Sequence, residues 1–302
     1  WKGYRVLDCG GCGVAFADPF KNPGAEYYAG YDDLYRAEAQ TTTDAMSFEY
    51  DEGLAVLGRA APGAVRLLDV GCGGGGFLYR ARELGFEAAG VDFNRERLDA
   101  VRRLHGMRDL HCMGLPQFAR ENPGRRFDFV TIFEVLEHLD DPADWLKAAF
   151  SLLEPGGKLI VGVPNRDRSF DPFGDESMLE VDNPPHHLTR WRAAPLGDFI
   201  AQVGFEVVEL RPLGVPRPLL GLLARNRLRL GLATRALGVD QLQHLPASGP
   251  GPRGRLLLAL VALKSAILDA AVFLIYPVFT VACALFGWQG VILFCVAEKP
   301  KN

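Results

Sequence analysis

The sequence predicts an α/β protein whose mostly parallel sheet is covered by helices on both faces. Short apolar runs alternate with amphipathic runs over residues 61–211. The apolar runs are continuous, which indicates strands buried on both faces. The first of them leads straight into a glycine-rich turn, "LLDVGCGGGGF". With 302 residues, of which 48% are hydrophobic and 23% charged, the chain can bury one large core.

The predicted elements follow one another in a regular order along the chain. We expect strands at "VRLLDV", "FEAAGVD", "FDFVTIF", "GGKLIVGVP" and "FEVVEL". We expect helices between them at "GFLYRARELG", "RERLDAVRRLHG", "PADWLKAAFSLLEPGG" and "AAPLGDFIAQVGF". The run "GVILFCVAEKP" near the end is typical of one more strand. Strands separated in this way by helices are typical of a parallel sheet.

Composition divides the chain into further segments outside this core. A cysteine pair marks the start, a tyrosine-rich and then helical segment follows it, and a basic, later very apolar insert precedes the last strand. The predicted segments are 1–20 with the cysteine pair, 21–60 as an N-terminal helical lid, 61–211 as the core, 212–289 as the helical insert, and 290–302 as the last strand and tail.

The glycine run contains G-x-G-x-x-G and raises the question of its ligand. In an open α/β sheet, ligands bind beyond the carboxyl ends of the strands, and glycines there let the backbone approach closely. A dinucleotide would place a pyrophosphate at this helix start, where the carboxylate of Asp69 would repel it. S-adenosylmethionine carries an ammonium and a sulfonium and no phosphate, so Asp69 favours it. Asp92, at the end of the next strand, suits the ribose of either cofactor. A nicotinamide-dependent dehydrogenase is the less favoured alternative.

Three strings in this order, "LLDVGCGGGGFLYRARELGFEAAGVDFN", "FDFVTIFEVLEHLDDP" and "LLEPGGKLIVGVPN", resemble the class I S-adenosylmethionine-dependent methyltransferases. The similarity is greatest to the branch of the ubiquinone-biosynthesis O-methyltransferases and sugar methyltransferases. It implies a Rossmann-like, seven-stranded sheet with an antiparallel last strand. Where that family usually has an acidic residue near the adenine, this chain has Met113 and Gly114. The resemblance implies cofactor contacts from Asp69, Gly71, Cys72, Gly73, Asp92, Phe93, Met113, Gly114, Phe133 and Glu134.

The string "EVLEH" is one candidate for the chemistry. A helical turn would place Glu134, Glu137 and His138 on one face. In the resembling ubiquinone O-methyltransferases a similar triplet is associated with a divalent metal, and oxygen-rich ligands suit Mg²⁺. The alternative is that the triplet packs beneath the cofactor without metal, so we assign no metal ligands from the sequence.

The string "DNPPHHLTRW" is the second candidate. His186 and His187 follow the fifth strand, at the rim where an acceptor enters. The pair resembles a signature that supplies a general base in some sugar C-methyltransferases, with His187 at the position of the base. Histidine titrates near neutral pH and can take a proton from a hydroxyl. The alternative is that His186 caps a helix and His187 shapes the pocket wall. The predicted catalytic residues are His187, His186, Glu134 and His138.

The cysteine pair resembles the second half of a small zinc ribbon, "CGGCG" followed by a strand. Tetrahedral zinc needs four ligands, whereas residues 1–20 supply only Cys9 and Cys12. We therefore expect no fully ligated zinc in this segment. The scattered positions of the other cysteines do not indicate a secreted disulfide framework.

The insert suggests a membrane surface. Residues 211–264 are rich in arginine and contain one acidic residue, Asp240, and residues 270–288 carry no charge. A true crossing would separate the last strand from the sheet, so we expect 217–289 to lie against a membrane, with arginines toward anionic headgroups. The alternatives are a homodimer interface and a cap over the acceptor pocket. We do not expect nucleic-acid binding, because few aromatic residues accompany the arginines.

Together these observations predict a cytoplasmic S-adenosylmethionine-dependent methyltransferase, peripheral on the inner membrane. The acceptor is expected to be a small molecule or a lipid-linked intermediate, such as a sugar or quinone-like ring, methylated on oxygen. The alternative from another class is a non-catalytic module that keeps the cofactor fold as a scaffold.

Overall fold

The fold is seen in a computed structural model that describes most of the core and parts of the remaining chain. The described residues are 3–24, 27, 48–59, 65–169, 182–214, 270–281, 283, 285, 287 and 289–301. Most of the predicted lid and the insert up to residue 269 lie outside the described residues.

Ten strands form two sheets in the described part of the chain. The small sheet contains β1 (Arg5–Asp8), β2 (Ala15–Asp18) and β8 (Thr189–Arg190). The central sheet contains β3 (Arg66–Val70), β4 (Glu87–Asp92), β5 (Leu110–Cys112), β6 (Phe127–Phe133), β7 (Leu153–Pro164), β9 (Glu206–Pro212) and β10 (Ile292–Glu298).

The central sheet has the strand order β5-β4-β3-β6-β7-β10-β9. Neighbours from β5 to β7 pair in parallel. Strand β10 is antiparallel to both of its neighbours, β7 and β9. The prediction of a seven-stranded, mostly parallel sheet with an antiparallel last strand is therefore confirmed.

Helices follow the strands of the central sheet. Asn94 and Asp141 each precede a helix and accept a hydrogen bond from a backbone N–H of its first turn, which satisfies donors that the helix itself leaves unpaired. Within the described residues the helices are α1 (Phe48–Leu57), α2 (Gly76–Glu83), α3 (Arg95–His105), α4 (Leu115–Glu121), α5 (Pro142–Leu152) and α6 (Ala193–Gln202), and residues 270–281 form α7.

The hydrophobic core lies on both faces of the central sheet. Neighbouring residues of β3 point to opposite sides, so that Leu68 belongs to one apolar cluster and Leu67 to another. The first cluster includes Leu146 of α5 and Leu196 of α6, and the second includes Phe77 of α2. The predicted covering of both faces is confirmed.

The structure of the core differs from the prediction in two details. The helix expected over 142–157 ends at Leu152, and β7 begins at Leu153. Pro155 explains this, because proline cannot donate the next helical hydrogen bond. Strand β5 and helix α4 were not predicted, since a three-residue strand is too short to show a pattern.

The N-terminal hairpin packs beside the loop that contains the histidine pair. Strand β2 pairs with β8, which follows that loop directly. Cys9 and Cys12 lie at the hairpin turn, and both are free thiols. Farther along, the side chain of Asn22 donates a hydrogen bond of 2.8 Å to the carbonyl of His138. The segment 3–24 therefore forms part of the wall around the candidate site.

Helix α7 exposes most of its apolar side chains. Leu274 is 74% exposed and Val278 is 69% exposed, whereas Val272 is 8% exposed and faces the protein. Among the described residues, no helix combines the length and apolar character needed to cross a bilayer.

Candidate active site

The turn between β3 and α2 brings the glycine run to the carboxyl end of the sheet. Gly71 and Gly75 have φ angles of 71° and 75°, in the left-handed region that favours glycine. A Cβ on Gly71 would lie 2.3 Å from Cγ2 of Val135. Backbone conformation and close packing therefore both require glycine at position 71.

The carboxylate of Asp92 fixes this turn against β4. One oxygen accepts a hydrogen bond of 2.9 Å from the backbone N–H of Gly73, and the other accepts one of 2.7 Å from that of Asn94. Asp92 thus holds the glycine turn and the start of α3 in one arrangement. Each carboxylate oxygen can accept a further hydrogen bond, so this geometry is compatible with the predicted ribose contact.

Asp69 lies at the carboxyl end of β3 and is only 4% exposed. Thr131, its partner in the parallel register with β6, donates a hydrogen bond of 2.6 Å to its carboxylate. Burial raises the pKa of Asp69 to about 7, although the hydrogen bond from Thr131 acts in the opposite direction. Asp69, predicted from the sequence to be a negative charge, therefore has an ionisation that is sensitive to pH near neutrality.

An exposed aromatic ring lies just after the end of β4. The ring of Phe93 is 65% exposed and lies 6.0 Å from that of Trp145. A Cβ on Gly114 would lie 2.9 Å from Phe93 Cζ, so the absence of a side chain there makes room for the ring. Met113 is half-buried beside them. An exposed phenylalanine beside a glycine suits a flat aromatic ligand such as adenine.

The remaining predicted cofactor residues are more deeply placed. Cys72 is 4% exposed. The ring of Phe133 is buried and packs 5.0 Å from that of Phe77 in the core. Any contact of these two residues with a ligand would therefore come mainly from their backbone. Their role in cofactor binding stays a prediction.

The segment after β6 departs from the predicted helical turn. Glu134 has a φ angle of 53°, which is unusual for a residue other than glycine. A short 3₁₀ helix, Leu136–His138, follows it. Glu134, Glu137 and His138 therefore do not share a regular α-helical face, and the prediction of one was wrong. Burial and the charge of Glu137 raise the pKa of Glu134 well above its ordinary value.

The two candidate strings nevertheless meet in one histidine cluster, His138, His186 and His187. The ring of His138 lies 4.7 Å from each of the other two rings. Its Nδ1 donates a hydrogen bond of 2.8 Å to the carbonyl of His186. Burial lowers the pKa of His138 well below its ordinary value and that of His186 to about 4. The rings are therefore neutral at physiological pH.

Asp182 fixes the orientation of His187. The Nδ1 of His187 lies 3.2 Å from the carboxylate of Asp182, to which it donates. Arg168 donates a hydrogen bond of 2.5 Å to the same carboxylate, and Arg190 donates one of 2.6 Å to the Asp182 carbonyl. Burial opposes ionisation, yet the hydrogen bond from His187 and the charge of Arg168 hold the pKa of Asp182 below its usual range. The remaining ring nitrogen, Nε2, carries the lone pair.

Glu137 lies beneath the cluster and is 1% exposed. One of its oxygens lies 3.8 Å from His138 Nε2 and 3.9 Å from His187 Nε2. Within the described residues, neither oxygen of Glu137 has a hydrogen-bond partner. Burial raises the pKa of Glu137 to about 8. The cluster thus offers ring nitrogens and a buried carboxyl group to a proton, an acceptor hydroxyl or a cation.

Thr131 and Asp182 were not among the predicted site residues. Thr131 is a polar residue within the apolar string "FDFVTIF". Aligning the two predicted strands in parallel would have placed Thr131 opposite Asp69 and so indicated their contact. Asp182 stands within the quoted string "DNPPHHLTRW", but its contact with His187 depends on how the loop folds.

Comparison with known proteins gives matches that cover the core. A family model described as "Methyltransferase domain" matches residues 35–210. A "Ubiquinone biosynthesis O-methyltransferase" of Pseudomonas aeruginosa (strain LESB58) is 33% identical over 162 residues, covering 50% of this chain and 69% of the relative. A protein of the same name from Xanthomonas axonopodis pv. citri (strain 306) is 40% identical over 116 residues, covering 37% of this chain and 48% of the relative.

Two solved structures share the architecture. A SAM-dependent methyltransferase from Archaeoglobus fulgidus superposes with a TM-score of 0.52 at 16% identity, over 90% of this chain and all 100% of its own. The [4+2]-cyclase SpnF superposes with a TM-score of 0.50 at 20% identity, over 83% of this chain and 80% of its own. At such identities the likeness shows the fold alone, and it agrees with the expected Rossmann-like sheet.

Proposed function

This chain belongs to the S-adenosylmethionine-dependent methyltransferases, as its motifs predict, and on that premise we propose that it methylates a hydroxyl group of a sugar, quinone-like or lipid-linked acceptor. The observation that carries the proposal is the histidine cluster beside the carboxyl end of β6, where an acceptor hydroxyl can lose its proton. A nicotinamide-dependent dehydrogenase finds no support in the family to which the chain belongs.

The residues at the glycine turn fit the cofactor. The exposed ring of Phe93, which lies against Gly114, would offer its free face to the adenine. Asp92 would hold the ribose, and Asp69 and the backbone at Gly71 would face the methionine end. When bound, the cofactor supplies an electrophilic methyl group on a cationic sulfur. The protein's part is to hold the acceptor oxygen in line with that methyl group.

On the acceptor side, the catalytic residues we propose are His187, His186, Glu134 and His138. An oxygen nucleophile is far stronger after it loses its proton. His187 presents Nε2 as the atom that can take this proton, because Asp182 holds the proton on Nδ1. A cation bound at the same nitrogen atoms would promote the same loss by lowering the pKa of the hydroxyl. Proton transfer to His187 and activation by a cation would both take place at the histidine cluster.

Two features bear on the identity of the acceptor. The relatives named "Ubiquinone biosynthesis O-methyltransferase" support an oxygen acceptor on a quinone-like ring. The exposed apolar face of α7 supports an acceptor delivered from a membrane surface. We therefore propose that the chain acts peripherally at the cytoplasmic face of the inner membrane. A homodimer through the same face is the alternative.

A transfer assay tests the proposed function. The protein is incubated with S-adenosylmethionine labelled in its methyl group, together with a membrane lipid extract or with small soluble acceptors. We expect label in the lipid extract, and we expect the His187→Ala variant to lose at least a hundredfold in turnover while it still binds S-adenosylhomocysteine.

The alternative is a module that binds the cofactor without methyl transfer. The fold does not exclude it, since the superposed SpnF structure is named a cyclase. Binding of S-adenosylhomocysteine without transfer to any extract would favour this alternative. Transfer only to soluble acceptors would contradict the lipid-linked acceptor but retain the methyltransferase. Unchanged turnover in His187→Ala would remove the catalytic role of that residue.

A further inference from the structure

The segment 3–24 contacts both strings of the candidate site, although it lies outside the residues that match the methyltransferase family, 35–210. Its strand β2 pairs with β8, which follows the histidine pair directly. Just beyond that pairing, the backbone N–H of Ala17 donates a hydrogen bond of 2.8 Å to the carbonyl of Leu188. The loop with the histidine pair is therefore bonded to the N-terminal segment.

Asn22, farther along the same segment, contacts the turn after β6 at two points. Its side-chain amide donates a hydrogen bond of 2.8 Å to the carbonyl of His138, and its backbone N–H donates one of 3.0 Å to the carboxylate of Asp140. The oxygen of the same amide accepts a hydrogen bond of 2.8 Å from the backbone N–H of Gly24. The two side-chain contacts fix the amide with its nitrogen toward His138.

The turn after β6 depends on such contacts because it is short. Its 3₁₀ helix has three residues. The N–H of His138 donates to the carbonyl of Val135 at 3.0 Å, and the N–H of Leu139 donates to that of Leu136 at 3.4 Å, which is long for a hydrogen bond. Carbonyls at the end of a helix have no partner within the helix. The amide of Asn22 supplies the partner for the carbonyl of His138.

The two strings also bond to each other. His138 Nδ1 donates a hydrogen bond of 2.8 Å to the carbonyl of His186, and the N–H of Leu188 donates one of 2.7 Å to the carbonyl of Glu137. Since the segment 3–24 bonds to both strings, its contacts close a ring of hydrogen bonds that includes the backbone of the histidine cluster.

We propose that Asn22 is a positioning residue for methyl transfer, and that the segment 3–24 completes the acceptor side of the site. Asn22 acts through His138, whose ring packs against those of His186 and His187. Loss of the Asn22 amide would let the turn after β6 shift, and a displacement of about 1 Å can cost about 100-fold in rate. The inference rests on the proposed function for the effect on turnover, though not for the effect on the position of the His138 ring.

Asn122 offers a matched control for Asn22. Its side-chain amide donates a hydrogen bond of 2.9 Å to the carbonyl of Phe118 at the end of α4. Asn122→Ala therefore removes a hydrogen bond of the same kind from another part of the fold. Asn22→Ala and Asn122→Ala should lower the midpoint of urea denaturation to a similar degree.

Turnover with labelled S-adenosylmethionine and the lipid extract separates positioning from stability. Asn22→Ala should lower kcat about 10- to 100-fold, while its affinity for S-adenosylhomocysteine stays close to that of the wild type. Asn122→Ala should keep the turnover of the wild type. Asn22→Asp should lose at least as much turnover as Asn22→Ala, because it retains the contact with Gly24 but turns an oxygen toward the carbonyl of His138.

The proton on Nδ1 of His138 gives a second readout, which does not depend on methyl transfer. In protein with isotopically labelled histidine rings, its NMR signal should be protected from exchange with solvent, since this proton binds the carbonyl of His186. Loss of the signal in His138→Gln assigns it. Asn22→Ala should speed its exchange about tenfold or more, and Asn122→Ala should leave it unchanged.

Equal turnover in Asn22→Ala and Asn122→Ala, or unchanged protection of the His138 proton in Asn22→Ala, would overturn the inference. If Asn22→Ala does not fold, Asn22→Asp supplies the same two comparisons, since it retains the size of the side chain. Failure of the proposed function is a separate result. It would appear as a wild type that transfers no label to any acceptor, and the exchange of the His138 proton then decides whether Asn22 positions the cluster.

Discussion

Thr131 donates a hydrogen bond of 2.6 Å to the buried carboxylate of Asp69 across the parallel pairing of β3 and β6. The bond holds that carboxylate in place at the carboxyl end of the sheet. Burial raises the pKa of Asp69 to about 7. In the ligand-free protein Asp69 is thus divided between its neutral and charged forms near neutral pH.

Cofactor affinity should therefore depend on pH. A cationic ligand favours ionised Asp69, so affinity for S-adenosylmethionine should rise with pH and level off above about 7. Below that value it should fall by roughly tenfold for each pH unit. Calorimetric titration between pH 5.5 and 8.5 measures this.

Thr131→Val should move the midpoint of this dependence to higher pH, since the hydrogen bond from Thr131 lowers the pKa of Asp69. Asp69→Asn should remove the dependence. The same pH profile in Asp69→Asn and the wild type would show that another group is responsible.

Gly71→Ala should destabilise the protein more than its backbone conformation alone explains. A left-handed φ costs a residue with a side chain about 1–2 kcal/mol, and the new Cβ would also lie 2.3 Å from Val135 Cγ2. Gly106→Ala is the matched control, because Gly106 has a φ of +65° and, apart from its chain neighbours, no atom of the described residues lies within 4 Å of the position that a Cβ would take. Urea denaturation of both variants measures how much each substitution lowers the free energy of unfolding.

Adding Val135→Ala to Gly71→Ala should restore the part of the lost unfolding free energy that comes from the contact between the new Cβ and Val135. If Gly71→Ala and Gly106→Ala lower the free energy of unfolding equally, the side chain of Val135 moves away from the new Cβ without an energetic cost.

Asp92→Asn should weaken both the turn and cofactor binding. Asparagine has one acceptor oxygen, whereas the carboxylate accepts from the N–H groups of Gly73 and Asn94. One donor then loses its partner, at a cost of about 1–3 kcal/mol in the free energy of unfolding. Affinity for S-adenosylhomocysteine should fall about tenfold or more, as calorimetry would measure.

Asp99→Asn is the control for Asp92→Asn. Asp99 forms a surface ion pair with Arg102, and its side chain is 47% exposed. The change should alter stability by less than about 0.5 kcal/mol. A similar loss in both variants would contradict the bridging role of Asp92.

The exposed face of α7 should govern attachment to membranes. Leu274→Ser combined with Val278→Ser should reduce binding to anionic vesicles about tenfold or more, because both side chains are largely exposed and apolar. Vesicle flotation measures the change. Leu104→Ser is the control, since Leu104 is 65% exposed on a different helix.

An unchanged bound fraction in the α7 variant would contradict membrane attachment through this face. If sedimentation shows that the wild type is a dimer and the variant a monomer, the face lies between two copies of the chain.

Most strands and helices of the core could be predicted from the sequence, because the strands are long, continuous and apolar. Strand β5 escaped prediction, since three residues carry too little pattern. The end of α5 at Leu152 depends on how Pro155 enters β7, which the apolar spacing does not reveal.

The candidate site was predictable in its residues but not in its arrangement. Both strings, "EVLEH" and "DNPPHHLTRW", were recognised, yet nothing in their spacing places His138 against His187. The left-handed conformation of Glu134 could not be predicted, because residues other than glycine seldom adopt it. Asp182 gains its role only once the loop brings it to His187.

The position of β10 has a consequence for synthesis of the protein. This strand is translated after both of its partners, β7 and β9, and it pairs between them. Until the ribosome has released it, the inner edges of both partners are open and can pair with foreign strands. The sheet can therefore be completed only after β10 has been synthesised, and a chaperone that shields strand edges should raise the yield of folded protein.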